Sequence, residues 1–360
     1  MLITAIALLG AVLSGCANRP SRPPQSPASP AASATGSPGG SPTAGTATPT
    51  LTPPATPPRE PGASPTPESR PAGQPAGMPP RTASPAPGAG TPVATAQPAF
   101  EVQLEPRSVP QGETVLVRAV GVTNGTLRAG SQTIPMQPAP AGAWAVVGVG
   151  LYASLGPTNI SVTGRDASGN ALGEVPARYT VVDPQRPADY LVTTEETAAI
   201  LTPEAGATET RLRAEQFASF DPAPHWRTAF RHPVVGFEVS TQFGSGRSIN
   251  GGPVGDFHSG EDLAVDEGTP VMAAAPGRVA WVGAMPIRGN SVIVDHGGGV
   301  KTGYHHLLDT NVVAGQAVEA GAVLGRVGST GFSTGPHLHW ELTIFGVNVD
   351  PETWTTRTFR

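Results

Sequence analysis

An all-β fold is the class that this 360-residue chain predicts. Five short runs between residues 99 and 183 alternate apolar with other residues, the period of a strand with one buried face. Residues 237–354 read as many short apolar runs separated by glycine, the pattern of antiparallel strands joined by tight turns. Helix-favouring sequence is confined to residues 184–236. The expected architecture is a C-terminal antiparallel β-sheet domain with a groove, preceded by an immunoglobulin-like β-sandwich and a disordered proline-rich tether.

Residues 1–16 come first. Met1 to Gly15 is apolar and closes on Leu13-Ser14-Gly15-Cys16, which resembles a bacterial lipobox. Cys16 is the only cysteine of the chain. It is expected to be acylated, making the protein an exported, membrane-anchored lipoprotein at the cell envelope. The run is short for a transmembrane helix, which needs about 20 residues. No Lys or Arg precedes Arg19, so a start further upstream is expected. With no second cysteine, no internal disulfide supports the exported domains.

Residues 17–98 are almost entirely Pro, Ala, Ser, Thr and Gly, with no aromatic residue. Such a segment buries too little surface to offset the entropy of ordering. Extended as polyproline II it would span roughly 250 Å, at about 3.1 Å per residue. The expectation is a tether that lets an anchored domain reach into the wall.

Within 99–183 the runs Phe100–Leu104, Thr114–Val120, Ala143–Val147, Asn159–Thr163 and Ala177–Val182 are expected strands. Pro110-Gln-Gly112, Thr123-Asn-Gly125 and Ala167-Ser-Gly-Asn170 supply turn chemistry between them. That spacing predicts the sandwich. The connector, 184–236, holds two helix-favouring stretches, Glu195–Ile200 and Glu209–Phe220, with Thr194 and Thr208 as candidate caps. Pro203 and Gly206 are expected to interrupt them. Trp226, Phe230 and Pro233 are expected to pack against the edge of the last domain.

Residues 237–354 carry the chemistry. Six of the eight histidines lie between 258 and 339. His258 and Asp262 sit four residues apart, Tyr304-His-His-Leu307 follows, and His337-Leu-His339 closes the set. Neutral imidazole nitrogens and a carboxylate oxygen are the ligands of zinc, and a catalytic site leaves one position for water. His258, Asp262 and His339 are therefore candidate ligands of one Zn2+ ion, leaving His306 and His337 for proton handling. On a strand, His337 and His339 share one face, with Leu338 and Trp340 on the other. In a straight strand His258 and Asp262 would stand about 13 Å apart at roughly 3.3 Å per residue. The chain must bend between them, and Gly260 permits the bend.

These motifs resemble peptidase family M23, the lysostaphin-type zinc endopeptidases that cut peptidoglycan. The likeness includes Thr241-Gln-Phe-Gly244 with Arg247, His258-Ser-Gly-Glu-Asp262, Gly268-Thr-Pro-Val-Met-Ala273, Val294-Asp-His-Gly297, Gly335-Pro-His-Leu-His-Trp-Glu341 and Val349-Asp-Pro351. It implies metal ligands at His258, Asp262 and His339 and catalytic histidines at His306 and His337. The family pattern Tyr-x-His-Leu selects His306 over His305, which on an alternating strand would face the other way. Glu261 departs from the pattern, where an apolar residue is more usual. Glu341 and Asp295 are candidates to hold the outer nitrogens of ligand imidazoles. His296, His225 and His232 read as structural.

The resemblance implies peptidoglycan peptides as substrate, cleaved by metal-activated water. The alternative is a non-catalytic wall-binding or hydrolase-regulating lipoprotein, which the five intact site positions argue against. Ser248-Ile-Asn-Gly-Gly252, just before the site, suggests an autoinhibitory segment. A net charge of −5 gives no basic footprint for nucleic acid. Gly297-Gly-Gly299 lacks a following Walker lysine and reads as a hairpin turn, not a phosphate loop. The chain is expected to act as a monomer.

Overall fold

A computed structural model describes residues 99–360. The lipobox at Cys16 and the proline-rich tether lie outside the described residues. What is described is β-rich. Glu101–Glu105, Thr114–Val120, Gly142–Gly148 and Gln137–Ala139 form one sheet, in that spatial order. The facing sheet runs Ser108–Pro110, Ala171–Val182, Gly156–Arg165, Asn124–Ala129, Gln132–Pro135. Alternate residues such as Val115, Val117, Leu127, Ile160 and Val162 meet in a shared core. Asn124 and Gly125 open a strand instead of forming a turn; the turn falls one step earlier, where Gly121 adopts φ +81°. The glycine-proline stretch after Pro135 carries a short edge strand, where proline's missing donor is harmless.

The connector differs from expectation. Thr194 does cap a short helix, Glu195–Ala198, by accepting the N–H of Thr197. The second helix, however, runs Pro203–Gln216, with Thr202 accepting the N–H of Ala205 at 3.1 Å. Pro203 thus starts the helix, because at the first position its missing N–H would be unpaired anyway. Thr208 and Gly206 lie inside it. Ala188–Leu191 also adds a strand, parallel to Gly246–Ile249. Trp226 and Phe230 are buried in the same core as residues of the last domain. Trp226 lies between Trp144 of the sandwich, at 6.0 Å, and Trp354 near the C-terminus, at 5.7 Å.

The last domain is built on one large antiparallel sheet with the central order Glu238–Thr241, Glu261–Ala264, His337–Ile344, Val300–Thr310, Gly289–Asp295, Gly277–Met285. Asp262 pairs with His339, and His339 with His305, so three adjacent central strands present polar side chains side by side. Leu338, Trp340 and Leu342 on the opposite face are buried in the main core with Leu263, Tyr304 and Val349. One face of the sheet is core and the other is site. Burying Trp340 and its neighbours, at about 25 cal/mol per Å² of apolar surface, is what holds the polar face rigid.

Candidate metal centre

His258, Asp262 and His339 converge. His258 Nε2 stands 2.9 Å from His339 Nδ1 and 3.0 Å from Asp262 Oδ1, and His339 Nδ1 is 2.7 Å from that same oxygen. All three side chains are buried. The turn His258-Ser-Gly260 brings the first two together. Gly260 is needed there for space and not for a left-handed conformation. A Cβ on it would stand 2.6 Å from the Trp340 carbonyl oxygen and 2.8 Å from the His339 ring.

The outer nitrogens decide what this cluster can hold. His258 Nδ1–H donates to the Gln242 carbonyl at 3.0 Å. His339 Nε2–H donates to the Glu341 carboxylate at 3.2 Å. Carbonyl and carboxylate oxygens only accept, so each imidazole's proton lies on the outside. His258 Nε2, His339 Nδ1 and Asp262 Oδ1 are then three lone pairs aimed at one point with no donor among them. Such a cluster calls for a shared cation. Two imidazole nitrogens and one carboxylate oxygen suit zinc.

Burial would lower the His339 imidazole, but Asp262 and Glu341 on either side raise it above its ordinary value, so the cluster draws positive charge to itself. Burial holds the His258 imidazole down to about 4, keeping it neutral. Burial alone would raise the Asp262 carboxyl, but His258 and His339 bring it well below the ordinary range. Arg247 adds positive charge on the other side, 3.3 Å from Asp262 Oδ2.

His306 and His337 stand beside the cluster, their rings 4.8 Å apart. His306 Nδ1–H donates to the Thr330 carbonyl at 2.7 Å, and His337 Nδ1–H to the Gly335 carbonyl at 2.8 Å. Each therefore keeps an Nε2 lone pair, and both residues line the same cleft of about 620 Å³ as His258, Asp262 and His339. Burial and the neighbouring imidazoles push His306 well below its usual value.

His305 does not face away. Its ring lies 5.5 Å from that of His339, and its Nδ1 meets Ser291 Oγ at 2.9 Å. His306 breaks the alternation by adopting φ +59°, a bulge at which the register with Gly289–Asp295 slips. Both histidines thus sit beside His339, with His305 fully buried behind it.

Glu341 does hold His339, and it is almost fully buried. Asp295 serves elsewhere: it accepts the backbone N–H groups of Asp221 and Gly297. His296, His225 and His232 pair with Pro276 and Thr302, Asp221, and Glu352, away from the cluster. Glu261 is buried, and burial with Asp350 nearby pushes its carboxyl up to about 8. The Ser248–Gly252 segment lines the cleft through Ile249 and Gly252. Its Asn250 bonds to Thr193, not to the three converging side chains. Sequence reasoning missed Arg288 and Glu209. Arg288 donates to Glu341 at 2.6 Å and to Glu209 of the connector helix at 2.5 Å. Neither carries a signal in the sequence, since each reads there as an ordinary charged residue.

A family model described as Peptidase family M23 matches residues 256–351. The crystal structure of a candidate M23 peptidase from Pseudomonas aeruginosa is 30% identical, with a TM-score of 0.52, over 69% of this chain and 94% of that one. The DD-carboxypeptidase/endopeptidase Mpg of Neisseria meningitidis is 47% identical over 95 residues, 26% of this chain and 22% of Mpg. The peptidoglycan DD-endopeptidase ShyA of Vibrio cholerae is 43% identical over 89 residues, 25% of this chain and 21% of ShyA. This chain therefore spans only about a fifth of these curated relatives.

Proposed function

The chain belongs to peptidase family M23, and from that premise we propose that it is a zinc-dependent endopeptidase hydrolysing peptide cross-links of bacterial peptidoglycan. The observation that carries this reading is the cluster of three unprotonated ligand atoms of His258, Asp262 and His339, flanked by two further histidines in one cleft. When bound, zinc supplies Lewis-acid polarisation of the scissile carbonyl and acidifies water to about neutrality.

The residues do the rest. His306 and His337, with Nδ1–H tied to carbonyls, offer Nε2 to accept a proton from the attacking water and return it to the leaving amine. They act as a pair. The cleft wall of Leu201, Ile249 and Phe332 gives the substrate peptide an apolar flank. The names of Mpg and ShyA favour a D,D cross-link over a glycine bridge. Anchoring through Cys16, with the 17–98 tether, would place the enzyme at the envelope beside its substrate.

The test is a mass-spectrometric digest of cross-linked muropeptides with the purified chain and zinc, beside a His339→Ala control. New amine-bearing fragments, absent from the control, are expected, and their mass identifies the bond. No cleavage by zinc-loaded protein would move the assignment to a binding or regulatory module. A second variant tests the geometry. Gly260→Ala forces the Trp340 backbone and the His339 ring apart from their present positions. Since a 1 Å misplacement costs about 10²-fold, a loss of tenfold or more in kcat/KM is expected. Unchanged kinetics would show that the close approach does not matter.

A further inference from the structure

The family-matched segment begins at residue 256, yet the cluster is held from outside it. Glu209, on the helix Pro203–Gln216, is a carboxylate with only 3% of its surface exposed. Its Oε1 receives Arg288 Nη1 at 2.5 Å, and its Oε2 receives the backbone N–H of Ile287 at 2.8 Å. Arg288 in turn donates from Nη2 and Nε to Glu341 Oε1, at 2.6 and 3.0 Å. That same oxygen accepts the Nε2–H of His339. Arg213, one turn further along the helix, reaches the other Glu341 oxygen at 2.7 Å. The Arg288 carbonyl also receives the backbone N–H of His306, at 2.9 Å, which fixes the bulge.

We propose that the connector helix is a working part of the metal site, with Glu209 positioning His339 through Arg288 and Glu341. The charges explain why. Glu341 meets two guanidinium groups, and left alone they would draw its electrons away from the His339 N–H. Glu209 shares the Arg288 cation and restores Glu341 as a strong acceptor. A strong acceptor fixes the His339 tautomer and raises the basicity of Nδ1, the atom offered to the metal. Glu209 is thus a positioning residue, as is Arg288. The inference rests on the zinc reading given above.

The test compares the full chain with Glu209→Gln, which preserves an acceptor for the Ile287 N–H but removes the charge. Zinc affinity is measured by chelator competition, and the ligand field by the visible spectrum of the cobalt(II)-loaded protein. Outer partners of metal-bound histidines affect affinity by roughly 10- to 100-fold, and a loss in that range with a shifted cobalt spectrum is expected. Glu209→Asp, keeping the charge, should recover part of it. Arg211→Ala, on the exposed side of the same helix, should change neither readout. Cobalt titration in the cold reads the folded protein, so a lowered melting temperature does not mask the result. Wild-type affinity and spectrum in Glu209→Gln would overturn the proposal. A wild-type chain that takes up no zinc would instead overturn the metal-site reading itself.

Discussion

His306→Ala and His337→Ala are each expected to lower kcat by about 10²- to 10⁴-fold, the usual worth of a positioned acid–base group, while zinc is retained. Neither ring nitrogen is among the three converging ligand atoms. Each histidine holds its Nδ1 proton against a carbonyl, so Nε2 is the atom that each variant removes from the cleft. The two rings are 4.8 Å apart, close enough to share one proton inventory. Removing both should therefore cost little more than removing the worse of the two, as for other groups that act as a unit. His339→Ala is different in kind, because it should lose the metal and the activity together. The measurement is single-turnover cleavage of a defined muropeptide alongside metal content. Full activity in either histidine variant would end its assignment to proton transfer. Loss of zinc from His306→Ala would make that residue a ligand.

The convergence of His258, Asp262 and His339 was legible because short-range pattern encodes it. His337 and His339 share a face by the period of a strand, and the apolar residues between them belong to the core. The bend after His258 was legible too, though not its reason: a Cβ at Gly260 fails against a strand 80 residues away in sequence. The facing of His305 was not legible. It turns on a positive φ at His306, a residue type that gives no warning of it. The N-terminus of the connector helix is hard to read because Pro203, a residue that breaks a helix from within, initiates one at the first position. Glu209 was out of reach for a further reason. Its partner Arg288 lies 79 residues on, and each looks in sequence like any solvated charge. Only burial shows that they are one network.

Burial also makes the fold acid-sensitive, in part through a histidine remote from the cleft. His296 is fully buried, its Nδ1–H donating to the Pro276 carbonyl and its Nε2 lying 2.8 Å from Thr302 Oγ1. The Phe230 ring stands edge-on at 4.9 Å. Burial lowers its pKa to about 4. The unfolded chain regains the ordinary value near 6.5. Above pH 6.5 the residue is neutral in both states and its protonation costs nothing. Below that pH the unfolded chain binds a proton that the folded chain refuses, so stability falls as pH falls. The loss runs at about 1.4 kcal/mol per pH unit and totals about 3 kcal/mol by pH 4. Urea unfolding between pH 4.5 and 7.5 measures it. His296→Gln, an uncharged replacement that can still donate and accept, should flatten the wild-type slope by about one proton in that window. Comparison at matched zinc removes the contribution of the metal ligands, which the two proteins share. Parallel slopes would mean that His296 accepts its proton in the folded state, with Thr302 Oγ1 accepting the new Nε2–H.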